Sequence, residues 1–171
     1  MLDGKPFVAT LLAPVILAFT VAMAAAQTPQ RIGQFNDWGA ISYQSSNGKV
    51  CYVVSLPLTK EPANLNHGEN FFLVTQRGNQ NVTYEPQFIA GYPLQENSQV
   101  KVTVDGKPFT FFSKENTAWT ENAAQDSILV DAMKAGARMV VEATSGRGNQ
   151  TTYEYSLSGV TAALNAIESC D

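Results

Sequence analysis

The chain has 171 residues, 44% of them hydrophobic and 15% charged, with a formal net charge of -4. Those values suit one globular domain large enough to bury a core, and they exclude a disordered chain and a multi-span membrane protein. A mildly acidic chain without grouped Lys and Arg also lacks what nucleic-acid binding requires, because phosphate contacts need clustered cations.

Residues 1–26 read as a signal peptide. Lys5 precedes an apolar run from Phe7 to Ala22, and Ala24-Ala25-Ala26 offers the small residues that signal peptidase needs before Gln27. The alternative is an uncleaved anchor, since Phe7 to Ala26 approaches the ~20 apolar residues of a spanning helix. Pro14 and the alanine-rich end favour cleavage, so membrane contact is expected only through a leader that stays in place. Cleavage near Ala26 removes one acid, Asp3, and one base, Lys5, leaving the net charge at -4.

Residues 27–37 are polar, carry Pro29 and read as a flexible lead-in; residues 38–171 form a single domain. Trp38 to Gln44 and Lys49 to Leu56 flank Asn47-Gly48, a strong hairpin signal between β-prone runs. Pro57 to Gly68 has two prolines and no periodicity, which predicts a loop. Asn70 to Arg77 and Asn81 to Ala90 predict a second hairpin, with Pro86 at an edge or bulge. Val100, Val102 and Val104 alternate with polar residues, and Asp105-Gly106 leads into Pro108 to Ser113, a third hairpin. A short strand follows at Thr117 to Trp119.

Asp126 or Ser127 is expected to cap a helix whose apolar face is Ile128, Leu129, Ala132 and Met133, with Gly136 at a left-handed end. Ala137 to Thr144 and Thr151 to Leu157 predict the last hairpin. Val160, Leu164 and Ile167, at i, i+4 and i+7, then predict a terminal helical turn or two packed on the sheets. The sum is an all-β antiparallel β-sandwich of eight or nine short strands with two short helices, one before the last hairpin and one at the C-terminus.

Export changes the meaning of the two cysteines, because an oxidising compartment lets a disulfide persist. A Cys51–Cys170 bond is expected. A redox pair and an intermolecular link are the alternatives, and no C-x-x-C spacing supports catalytic redox chemistry.

Catalytic signals are sparse. His67 is the only histidine, sits in a Pro/Asn-rich stretch and reads as a solvated loop residue, which strains both multi-imidazole metal sites and Ser-His-Asp logic. No catalytic residue, metal ligand or cofactor is therefore expected. Glu61 and Glu69 around His67, Asp126 and Asp131, and Glu142 and Glu154 across the last hairpin are the carboxylate pairs an enzyme acting on envelope carbohydrate would need. Trp38, Trp119 and several Tyr and Phe could build a carbohydrate-stacking surface; core packing is the reading for Phe71, Phe72, Phe111 and Phe112, and Tyr84, Tyr92 and Tyr153 stay open between the two. One internal echo stands beside them: Arg77-Gly78-Asn79-Gln80 and Arg147-Gly148-Asn149-Gln150 each precede a Tyr-Glu pair. Chance recurrence of turn residues explains it; the functional alternative is a paired loop surface built from Arg77, Asn79, Arg147 and Asn149.

Several stretches together resemble the invasion-associated locus B family of α-proteobacteria. They are Phe35-Asn36-Asp37-Trp38, Gly48-Lys49-Val50-Cys51, Val104-Asp105-Gly106 with Pro108-Phe109, Ala118-Trp119, Met133-Lys134-Ala135-Gly136 and, most specifically, Tyr155 to Leu164 (YSLSGVTAAL). The resemblance implies an exported, envelope-associated sandwich of immunoglobulin-like character, linked in pathogenic members to entry into host cells. Many relatives carry additional cysteines where this chain has Tyr43 and Ala118-Trp119. The family brings no catalytic residues to carry over. The resulting expectation is a non-enzymatic binding module, periplasmic, secreted or outer-membrane associated, whose partner is a protein or glycan of the envelope or of a host cell. A structural envelope component and a carbohydrate-active enzyme are the rival expectations.

Overall fold

A computed structural model describes residues 28–77 and 82–170. The leader and the Gly78 to Gln80 half of the echo lie outside the described residues. Among the described residues there are eleven strands: β1 (Gln30–Phe35), β2 (Trp38–Ser45), β3 (Gly48–Ser55), β4 (Thr59–Glu61), β5 (Phe71–Arg77), β6 (Val82–Ile89), β7 (Gln99–Val104), β8 (Lys107–Lys114), β9 (Thr117–Thr120), β10 (Arg138–Thr144) and β11 (Gln150–Ser156). Helix α1 (Ala124–Ala135) precedes the β10–β11 hairpin, and α2 (Val160–Ala166) lies near the C-terminus, as the pattern predicts.

The strands form one antiparallel sheet in the order β1-β2-β3-β5-β6-β9-β8-β7-β10-β11-β4. That sheet folds over into two layers. Phe72 on β5 meets Tyr155 on β11 with ring centroids 5.9 Å apart, although six strand positions separate the two along the sheet. Phe88 on β6 similarly reaches Tyr153 on β11 at 5.5 Å. The expected β-sandwich is therefore present, its layers continuous through β9 and β8.

Inward residues follow the two-residue period of the strands. Phe72, Phe88 and Ala118 form one buried cross-strand row, and Val102, Val141 and Tyr153 face it from the other layer. The Trp38 indole N–H donates to the Ser156 carbonyl at 2.9 Å, tying β2 to β11. Val160, Leu164 and Ile167 are all buried, so the predicted stripe packs inward, with α2 against β1 and β2. Cys51 and Cys170 are bonded, their Cα atoms 5.9 Å apart and 119 residues apart in the chain. Closing a loop of that length restricts the unfolded chain by about 4 to 5 kcal/mol in the chain-entropy account.

Several expectations are corrected. Residues 27–37 carry β1 instead of a flexible lead-in; its polar sequence hid pairing that comes from the backbone to β2. The predicted loop from Pro57 holds β4, three residues that pair with β11. Helix α1 begins at Ala124, whose N–H donates to Asn122 Oδ1, so Asp126 and Ser127 lie inside the first turn. Its buried face is Leu129, Val130 and Met133, while Ile128 is exposed. Gly136 is extended (φ -92°), and a Cβ there would lie 2.8 Å from Val104 Cγ1, so close packing accounts for the glycine. Phe112 is 40% exposed and stacks on Trp119, because its register places it on the outer side of β8.

Candidate functional site

One end of the sandwich is built by the chain between β4 and β5 meeting the turn after β6. Gly68 (φ +59°) and Gly91 let two backbones touch: a Cβ on Gly68 would sit 2.7 Å from the Gly91 carbonyl oxygen. Asn70, fully buried, cements the approach. Its side-chain amide donates to the His67 carbonyl at 3.0 Å, and its Oδ1 accepts from the Gly91 N–H at 3.2 Å.

That clamp carries His67 inward, where it is 6% exposed, which corrects the expectation of a solvated loop residue. The ring meets Tyr153 Oη through Nδ1 at 2.8 Å and the Pro62 carbonyl through Nε2 at 3.0 Å. Tyr153 Oη lies 2.9 Å from Tyr92 Oη, which lies 2.6 Å from Thr151 Oγ1, and Thr151 donates to the Ala143 carbonyl at 3.1 Å. Both ends of this chain are carbonyls, which only accept. Burial, and then the Tyr92 hydroxyl beside it, push the Tyr153 phenol far above its ordinary range. Burial does the same to Tyr155.

Over this buried chain lie two hollows that share Tyr92 and Pro93 as a wall. The smaller, about 530 Å³, is lined by Leu65, Asn66, His67, Ser145, Arg147 and Asn149 among others. The larger, about 1040 Å³, has an apolar floor of Phe71, Ile89 and Leu94, with Glu69, Glu96 and Glu115 around it. The carboxylates are thus grouped on one side of the Tyr92–Pro93 wall and the Arg147 guanidinium on the other. Apolar floors with a few polar groups at the rim are the usual make-up of small-ligand and peptide sites.

The proposed binding residues are scattered. Arg147 and Asn149 reach the smaller hollow; Tyr153 is core beneath it, because it points inward from β11. Arg77 pairs with Glu85 at 3.6 Å, and the Lys134 ammonium lies 5.3 Å over the Tyr84 ring, both toward the Val82 end of β6. The Ser145–Asn149 turn instead packs on Pro93, beyond the Ile89 end of that strand. Arg77 and the Ser145–Asn149 turn therefore lie toward opposite ends of β6, and Asn79 is outside the described residues. Trp119 belongs to a third place, a hollow of about 540 Å³ shared with Phe112, Pro86 and Asp126. Burial raises the Asp126 carboxyl above its usual range, the Thr120 hydroxyl opposes that rise and Glu85 adds to it.

The carboxylate pairs are also placed. Glu142 stands opposite Thr152 and Glu154 opposite Val140, so the two glutamates are diagonal on the outer side of the last hairpin, each held by a cation: Lys101 at 2.7 Å and Arg138 at 3.4 Å. Among the described residues, no group of three or more His, Cys, Asp or Glu is arranged to hold a metal ion. Of the aromatics left open between core and surface, Tyr92 is the one that lines both hollows, whereas sequence reasoning missed Asn70 and Thr151. Gly68 and Gly91, flanking an Asn and a Tyr, were the available signal for a close backbone approach.

A family model described as "Invasion associated locus B (IalB) protein" matches residues 38–168. No curated protein and no solved structure gives a significant match.

Proposed function

The chain belongs to the invasion associated locus B family, and from that membership we propose that it is an exported, non-enzymatic binding module of the bacterial envelope, acting through the double hollow at the Tyr92–Pro93 end. The observation that carries the reading is that shared wall. Two concave, largely apolar sites meet at Tyr92 and Pro93, above a side-chain chain that fixes the Tyr92 ring from below. A partner offering apolar surface beside hydrogen-bonding groups fits that chemistry, whether a protein or a glycan, on the envelope or on a host cell.

Export is supported by the Cys51–Cys170 bond, which persists in oxidising compartments, and by the apolar run at Phe7 to Ala22. The non-enzymatic reading is supported by His67, whose two ring nitrogens are taken up by Tyr153 and the Pro62 carbonyl. The test is a glycan and peptide array probed with the exported protein and with an Arg147→Ala/Asn149→Ala variant. Binding that falls tenfold or more in the variant, at unchanged melting temperature, is the expected result. Hydrolytic turnover of envelope carbohydrate, with no ligand retained on either array, would contradict the proposal.

A further inference from the structure

The outer side of the first layer, away from the double hollow's rim, is a sheet face of unusual composition. In register across β2, β3, β5, β6, β9 and β8 runs the row Gly39, Val54, Leu73, Gln87, Trp119, Phe112. Beside it lie Ile41 opposite Tyr52, and Phe71 opposite Ile89. Leu56 and Leu58, at the end of β3 and just beyond it, are 58% and 61% exposed. Polar side chains gather at the margin, with Arg31 and Gln34 on β1, Arg77 and Glu85 at the Val82 end, and Lys114 on β8. An apolar centre with a polar rim is the anatomy of a protein interface.

We propose that this face is an interface between two copies of the chain. Its own shape argues for that occupant. At one end of the Gly39–Phe112 row is a hollow of about 590 Å³, its apolar part lined by Ile41, Val54, Leu56, Leu58 and Phe71 and its polar part by Asn36, Asp37 and the hydrogen-bonded Arg31 and Gln34 side chains, which lie over Gly39. At the other end is the exposed Phe112 ring stacked on Trp119. A two-fold axis parallel to the strands exchanges the two ends, directing each Phe112 toward the hollow of the other copy. Such reciprocity is what an isologous dimer requires.

Size agrees. Six strands spaced about 4.8 Å apart, each with two outward positions along about 13 Å, cover about 370 Å² per copy. The exposed Leu56 and Leu58 and the polar margin bring two such faces to about 1,000 Å², the lower bound of a specific interface, so the dimer is weak and concentration-dependent. A bilayer is a poorer occupant, because the rim has no cluster of Lys or Arg and the net charge of -4 is repelled by anionic lipid.

The test is sedimentation velocity on protein purified from cells expressing the full chain, from low micromolar to near-millimolar concentration. A Leu56→Glu/Leu58→Glu variant, a Phe112→Ser variant and a Lys101→Ala control on the opposite face run beside it, each checked by thermal melting. The expected result is a monomer–dimer shift for the wild type and the control, and a shift to at least tenfold higher concentration in both face variants at unchanged melting temperature. A wild type monomeric throughout, or a dimer that survives both face variants, would overturn the proposal. So would a monomer that co-floats with phosphatidylcholine or phosphatidylglycerol vesicles.

Discussion

The two outer faces of this sandwich enclose the same interior and have opposite surface chemistry. On the second layer the outward row Lys101, Glu142, Thr152, Glu61 is polar throughout, and Lys101 and Arg138 each hold a glutamate. On the first layer the corresponding positions are Val54, Leu73, Ile41, Tyr52, Phe71 and Ile89. Strand alternation places a residue on one side or the other, but it does not dictate that the outward set be apolar. One face is finished for water and the other is left for a partner, so lesions in the shared interior should disturb both faces alike, while lesions on one face should leave the other intact.

The largest expected effect removes what both faces share. Replacing Cys51 and Cys170 by serine releases the C-terminus from β3, and about 4 kcal/mol of stability goes with it. A fall in denaturation midpoint with no selective loss at either face is the expected outcome of a urea titration. Next comes His67→Ala, which leaves the buried Tyr153 hydroxyl without its imidazole and costs about 2 kcal/mol. Calorimetry checks it, and an unchanged melting temperature would mean that the chain of hydroxyls contributes nothing.

Alkaline pH tests the same interior by another route. Tyr153 and Tyr155 titrate well above the ordinary phenol value, so the folded chain keeps protons that the unfolded chain releases. Stability is therefore fully present below about pH 10 and declines as pH rises past it. A Tyr153→Phe/Tyr155→Phe variant should show a flatter decline in melting temperature between neutral and strongly alkaline pH. Smallest of all is Lys101→Ala on the charged face. An exposed pair of this kind contributes about 0.5 kcal/mol or less, so equilibrium unfolding should barely change.

Much of this architecture was legible in the residues. Asn47-Gly48 and Asp105-Gly106 marked hairpins because those turns need backbone shapes that few residues adopt, and Val160, Leu164 and Ile167 marked a stripe because helical periodicity is local. Less local features were hidden. His67 sits in a stretch rich in Pro and Asn and looks solvated; only the meeting of Gly68 with Gly91 carries it under Tyr92. From sequence Tyr153 stays open between core and surface, and Phe112 reads wrongly as core. A single aromatic carries no sign of which way its strand faces, and the register that decides it is set by partners far along the chain. The β1 strand was missed for a related reason: an edge strand is held by backbone pairing, to which its polar side chains are indifferent.

The contrast between the faces is tested most directly by methyl NMR with a soluble paramagnetic probe, following Leu73 on the first layer and Val140 on the second as protein concentration rises. The account predicts that Leu73 becomes progressively shielded from the probe while Val140 stays equally accessible at every concentration. Equal accessibility of both methyls across the whole range would contradict it.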